Sequence, residues 1–161
     1  MKGKILATLL AVATTSILSA AAPPSANTVS RPHEYYVLID QEGYAEAGGG
    51  WARVAAGGFG AKSQRKSCQP GAIASFTPRL AQGGRYRIIF WSGDADEDRT
   101  LRAVIKSEKT VQRPVVLAAG RGQWVDLGIY DFRQGTIGSL SIQGSGRGCV
   151  RASAAKFVRA A

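Results

Sequence analysis

The stretch Arg85-Tyr86-Arg87-Ile88-Ile89-Phe90-Trp91 decides the fold class. Successive side chains of an extended chain point to opposite faces. Tyr86, Ile88 and Phe90 therefore share one face, and Arg85, Arg87, Ile89 and Trp91 share the other. An apolar face backed by a mixed one describes a half-buried β-strand. Gln82-Gly83-Gly84 before it is a turn signal, and the polar, acidic residues 92–98 turn the chain after it.

The same reading extends outward in both directions. Ile73, Ser75 and Thr77 alternate with Ala74 and Phe76, and Pro78 stops that strand. Leu101, Ala103 and Ile105 alternate with Arg102, Val104 and Lys106. Residues 111–118 form another strand, which Pro114 assigns to a sheet edge or a bulge. Further strands are expected at 35–40, 51–55, 123–132, 136–142 and 149–159, with glycine clusters at 48–50 and 57–60 between the early ones. Eight or nine short strands at close spacing, with no long amphipathic helix, predict an all-β antiparallel sandwich or barrel.

The chain has 161 residues, of which 45% are hydrophobic. That length and composition fit one small domain with a real core and argue against global disorder. The N-terminus reads as an export signal. Lys2 and Lys4 precede an apolar run at 5–18, and Ser19 to Ala22 supply small residues for cleavage, expected after Ala20 or Ala21. The run is short for a membrane span, which needs roughly 20 residues. The expected organisation is therefore a signal peptide at 1–21, a flexible Pro-containing segment at 22–33 and a β domain at 34–161. The expected location is secreted or periplasmic, with no membrane span after cleavage.

The formal net charge is +10, and removing Lys2 and Lys4 with the signal leaves +8. Such a surface favours acidic partners. The charges are spread along the chain, without a recognition helix or basic tail, so no specific nucleic-acid partner is expected. Cys68 and Cys149 in an oxidising compartment point to a disulfide, with two buried thiols as the alternative. A loop of about 80 residues closed in this way contributes roughly 4 kcal/mol in the chain-entropy picture. The only histidine, His33, lies in the N-terminal segment, so neither a zinc site nor a histidine-based triad has support.

Several motifs carry a resemblance. Gly122-Gln123-Trp124-Val125-Asp126-Leu127-Gly128-Ile129-Tyr130-Asp131-Phe132 is similar to the late "G-x-W-x-x-L-G-x-aromatic-x-F" strand of the golvesin C-terminal-like domain, also described as xanthan-lyase carbohydrate-binding-like. Val150-Arg151-Ala152-Ser153-Ala154-Ala155-Lys156-Phe157 resembles that family's closing strand, and Ala74 to Pro78 with Gly84-Arg85-Tyr86 and Trp91 resembles an upstream hairpin. Ser153 stands where the family usually has an acidic residue, Ala155 where a larger apolar one is common, and Phe76 where Trp is usual. The resemblance implies a jelly-roll-like β-sandwich and glycan binding. It assigns structural positions to Trp124, Gly128, Phe132 and Phe157.

The ligand-binding candidates follow from chemistry. Sugar rings present apolar C–H faces that match flat aromatic surfaces. Trp91 and Trp51 are the first candidates, with Tyr35, Tyr36, Tyr44 and Tyr130 behind them. Arg85, Arg87 and Arg102 would form a cationic row for carboxylates if their strands paired. Lys62, Arg65 and Lys66 form a second basic run. Asp94, Asp96 and Asp98 alternate as at the start of a calcium loop, but the rest of such a loop is missing, so no cofactor is expected beyond this weak calcium candidate. A paired-carboxylate hydrolase would need two of Asp40, Glu42, Glu46, Asp126 and Asp131 to converge. No catalytic residue is assigned. The leading expectation is a non-catalytic exported module that binds an extracellular or envelope polysaccharide, with acidic polymers favoured by charge. The alternative is a structural or interaction module of the envelope with an exported protein as partner.

Overall fold

The computed structural model describes residues 34–94, 99–144 and 148–161. The expected signal peptide, the flexible segment with His33, and Asp96 and Asp98 of the acidic turn lie outside the described residues.

Among the described residues, twelve strands form three antiparallel sheets. They are β1 (Glu34–Leu38), β2 (Tyr44–Ala47), β3 (Ala52–Val54), β4 (Gln64–Ser67), β5 (Ile73–Phe76), β6 (Gly84–Trp91), β7 (Arg99–Lys106), β8 (Thr110–Leu117), β9 (Trp124–Phe132), β10 (Ser139–Gly144), β11 (Val150–Ala152) and β12 (Ala154–Arg159). One sheet has the order β1-β12-β6-β9, a second β2-β5-β10-β7-β8, and a small third β11-β4-β3. The sandwich class stands, but an undivided jelly roll of eight or nine strands does not.

The strand count rose at three places. β2 reads Tyr-Ala-Glu-Ala, too small and polar to show as a strand. β4 reads Gln-Arg-Lys-Ser, which looks like a solvated basic run. The closing strand, expected unbroken, is divided at Ser153, so that β11 belongs to the three-stranded sheet and β12 to the four-stranded one. Sheet membership is set by pairing partners that lie far away in sequence, and local propensity does not register them.

The alternation in β6 is realised. Tyr86, Ile88 and Phe90 are buried, while Arg85 and Arg87 are exposed and Ile89 and Trp91 half-buried. The core also takes Phe76 of β5, Ile105 of β7, Leu140 and Ile142 of β10, Phe132 of β9 and Phe157 of β12. Each large apolar side chain removed from water contributes about 1.5–3 kcal/mol before entropy is counted. β8, with Pro114, stands at the edge of the five-stranded sheet, where its missing N–H is tolerated.

Cys68 and Cys149 form a disulfide with their Cα atoms 4.1 Å apart. Val150 pairs with Ser67, so the bond joins the residues next along two paired strands. It ties β4 to β11 within the three-stranded sheet.

β9 carries a bulge. Ile88 of β6 faces Gly128 and Ile89 faces Asp126, so Leu127 is the extra residue. Gly128 has φ +99°, a conformation that a side chain would strain. The Asp126 carboxylate accepts the Gly128 N–H at 2.8 Å. The Leu127 carbonyl accepts from the Tyr130 hydroxyl and from Arg113 of β8, at 2.7 and 2.8 Å. The bulge therefore also joins the edges of the two large sheets.

Candidate functional site

The outer face of the four-stranded sheet carries an aromatic cluster assembled from distant segments. Trp91 and Trp124 are cross-strand partners on β6 and β9, with ring centroids 5.4 Å apart. Phe59, in a single 3-10 turn at Phe59–Ala61, lies 4.8 Å from Trp124 and 5.6 Å from Trp91. Tyr36 of β1 stacks on Phe59 at 6.0 Å with the ring planes 17° apart. The Lys156 ammonium of β12 stands 4.9 Å above the Trp124 ring, a cation–π contact.

Hydrogen bonds hold this arrangement. The Ser153 hydroxyl accepts the Phe59 N–H at 2.8 Å. Ser153 is itself buried at the bend between β11 and β12. The residue that departs from the family's acidic position thus pins the turn that places Phe59. The Gly57 carbonyl accepts from the Trp91 indole N–H at 3.2 Å and from the Asp94 N–H at 3.1 Å. A Cβ at Gly122 would lie 2.8 Å from the Trp91 ring, so glycine is required for that chain to lie on the indole.

Trp91 occupies the outer face that the alternation assigns to it, yet its ring is enclosed by Phe59, Trp124 and Gly122. Tyr36 is the ring left open, with 42% of its surface exposed. Its hydroxyl donates to Glu34 at 3.0 Å, and partial burial and that carboxylate raise its pKa. A groove of about 520 Å³ opens along β1, lined by residues 34–37 with Glu42, Gly43, Thr77, Arg79 and Thr136. Tyr36 is only one of several aromatics in the sequence, and its importance comes from the stack on Phe59, which sequence order does not reveal.

The other candidates separate. Trp51 is half-buried against the core, and its indole N–H donates to the Ala47 carbonyl at 3.0 Å. Arg87 pairs with Asp126 at 3.2 Å, both exposed, and Arg85 stands opposite Asp131. Arg102 does not join them. It lies on β7 of the five-stranded sheet, because the chain passes from one large sheet to the other after β6, so the expected three-arginine row is not formed. Arg65 of the basic run is engaged by Glu46 in a two-point ion pair, at 2.6 and 2.9 Å. The Tyr44 hydroxyl also donates to Glu46, at 2.8 Å. Arg65 holds the Glu46 carboxyl below the ordinary glutamate value, and burial beside that carboxylate raises the Tyr44 pKa.

Three of the five acids that a hydrolase would use are held in ion pairs. Asp40 pairs with Arg53, Glu46 with Arg65, and Asp126 with Arg87. Asp94 accepts the Gly122 N–H. Among the described residues, no group of three or more His, Cys, Asp or Glu side chains is placed to hold a metal. No helix among them is long and apolar enough to cross a membrane.

Comparison with known structures agrees with this architecture. The chain resembles a Paenibacillus xanthan lyase with a TM-score of 0.65 and 22% identity, covering 80% of this chain but only 13% of that one. It resembles a family 35 carbohydrate binding module from Clostridium thermocellum (TM-score 0.59, 14% identity, 78% of this chain and 98% of that one). A third likeness is to CBM35 from Cellvibrio japonicus Abf62 (TM-score 0.62, 14% identity, 80% and 95%). Two of these are carbohydrate-binding modules, matched over nearly their whole length. A search of curated sequences gave no significant match. The profile of the golvesin C-terminal domain matches residues 36–159, almost all of the β domain, and the chain belongs to that family.

Proposed function

We propose that this protein is an exported, non-catalytic module that binds a glycan at Tyr36 and the groove beside it. The observation that carries this reading is the exposed Tyr36 ring, backed by Phe59, on a strand that also borders a groove. An aromatic ring held by a second ring offers a flat apolar surface at little entropic cost, and suits the C–H face of a sugar. Glu34, Glu42, Thr77, Arg79 and Thr136 supply hydroxyl-directed hydrogen bonds around it. Trp91 and Trp124 act behind the platform as its support. The likeness to carbohydrate-binding modules favours the same class of ligand. The mature chain, freed of residues 1–21, would act in the periplasm or outside the cell.

The interaction-module alternative gains less from the structure. The most exposed large apolar residues are Val116 and Ile137, at 75% and 72%. Val116 stands opposite Thr100 near one end of β7, whereas Ile137 precedes Ser139, which pairs with Lys106 at the other end. Single exposed apolar residues at opposite ends of a strand make no patch.

Binding of the purified mature protein to an array of bacterial and plant glycans, at low and high salt, tests the proposal. Salt-resistant binding to a defined neutral sugar that is lost in Tyr36→Ala is the expected result. Binding that ignores Tyr36→Ala, or no binding to any sugar, would overturn the assignment of this site.

A further inference from the structure

The outer face of the five-stranded sheet is built from different chemistry. Its register places Ala45, Ser75, Ser141, Val104 and Gln112 in one row across all five strands. The next row on that face holds Ala47, Ile73, Gln143, Arg102 and Pro114. On the other side of the first row, Ser139 of β10, Lys106 of β7 and Thr110 of β8 stand opposite one another. These rows contain two cations, three amide or hydroxyl types and no carboxylate. No hydrogen bond or ion pair engages Arg102 among the described residues. A groove of about 280 Å³ opens at Arg102, lined also by Thr100, Leu101, Gln112, Arg113 and Pro114, with no acid among the described residues that line it. Its volume is near the lower end of ligand pockets, about 300 Å³. Arg113, paired with the buried Ala103, has the opposite phase and gives one nitrogen to the Leu127 carbonyl of β9, so its guanidinium serves the junction of the two sheets rather than this face.

We infer that this groove is a second binding site, which takes a carboxylate group of an extended acidic polysaccharide. Charge complementarity selects the occupant. The Arg102 guanidinium beside the Gln112 amide, which stands one row away on the same face, forms a charge-assisted donor set for a planar carboxylate. Lys106 lies four residues from Arg102 on the same face of β7, about 13 Å away at strand spacing. It meets the next charged unit of a polymer lying across the sheet. Ser75 and Ser141, whose hydroxyls are 2.9 Å apart, form a low hydroxylated floor between the two cations. These rows hold no aromatic ring among the described residues, so charge with hydrogen bonding provides the recognition. The proposal shares with the Tyr36 site only the class of partner. The two sites occupy different sheets and depend on different residues.

Titrations of the mature protein with polygalacturonate and with a neutral galactomannan test it. The double variant Arg102→Ala/Lys106→Ala is expected to weaken polygalacturonate binding by about tenfold or more at low salt. Ser141→Tyr, which fills the floor without changing charge, is expected to weaken it similarly. Arg121→Ala/Arg133→Ala removes the same charge elsewhere and should change it little. Equal losses in the two double variants, with none in Ser141→Tyr, would mean that bulk charge is the whole effect and would overturn the proposal. Loss of polygalacturonate binding in Tyr36→Ala would also overturn it, by placing the acidic polymer at the aromatic site. Retained polygalacturonate binding in Tyr36→Ala supports the second site, even where the neutral polymer never binds and the Tyr36 reading fails.

Discussion

The two large sheets share one core but present opposite chemistry to solvent. The outer face of the four-stranded sheet holds Tyr36, Trp91 and Trp124, and a loop reaches over to add Phe59. The outer face of the five-stranded sheet holds serines, glutamines, Arg102 and Lys106, with no ring in the rows described above. The inward sides of both are apolar and interchangeable in kind, because burial rewards only area and fit. The outward sides are free of that demand and can diverge. A face built on rings recognises shape and tolerates salt, whereas a face built on cations recognises charge and is screened by it.

The largest expected effect comes from the disulfide, which secures the small sheet beside the aromatic face. Cys68→Ala/Cys149→Ala removes a cross-link over a sequence separation of 81 and is expected to cost about 4 kcal/mol. Denaturant unfolding measures this. A loss below about 1 kcal/mol would show that β4 and β11 hold together without it.

Glu46→Ala comes next, at about 2–3 kcal/mol, because it strands the Arg65 guanidinium and the Tyr44 hydroxyl. The pH dependence has a definite sign. Arg65 depresses the folded-state value of Glu46 below its ordinary 4.5, so the unfolded chain takes up a proton first. The stability from this pair is complete above about pH 4.5 and is lost as pH falls through the folded value. Unfolding midpoints of wild type and Glu46→Gln should therefore converge under acid. Parallel curves down to the lowest pH would remove the pair from the account.

Gly122→Ala separates the two faces directly. The added carbon meets the Trp91 ring at 2.8 Å, and displacement of the indole is expected to cost about 1–3 kcal/mol. Tryptophan fluorescence and neutral-glycan binding should change, and polygalacturonate binding should not. A variant that loses both ligands equally would show that the faces are coupled. The smallest effect belongs to Lys156→Ala, which removes the cation over Trp124. It should weaken neutral-glycan binding by at most a few-fold, corresponding to about 0.5–1 kcal/mol for an exposed cation–π contact. Calorimetric titration resolves a change of that size.

Much of the framework is legible in the residues. Alternation in residues 85–91 gives the phase of β6 and sends Trp91 outward, and Pro114 marks β8 as an edge strand. The strand pattern hides what depends on partners. Glu46 reads as a surface acid until Arg65 arrives from β4, nineteen residues on. Ser153 sits among alanines between Arg151 and Lys156, with nothing local to set it apart, yet it marks the change of sheet and holds Phe59. The outward phase of Ile129 follows from the bulge at Leu127, whose only local sign is Gly128.

By itself the sequence determined an all-β antiparallel fold, sandwich or barrel, the inward and outward sides of its clearest strands, a single pair of cysteines and a cationic surface. These are local or compositional properties, and strand geometry or charge carries each of them without knowledge of the fold. Tertiary structure alone decided that Arg87 and Arg102 look away from each other and that Tyr36, rather than Trp91, is the open ring. The reason is that sheet membership and loop placement arise from contacts between residues tens of positions apart. The crossover after β6 and the turn over Trp124 have no periodic signature in the chain, yet they choose which side chains meet solvent together.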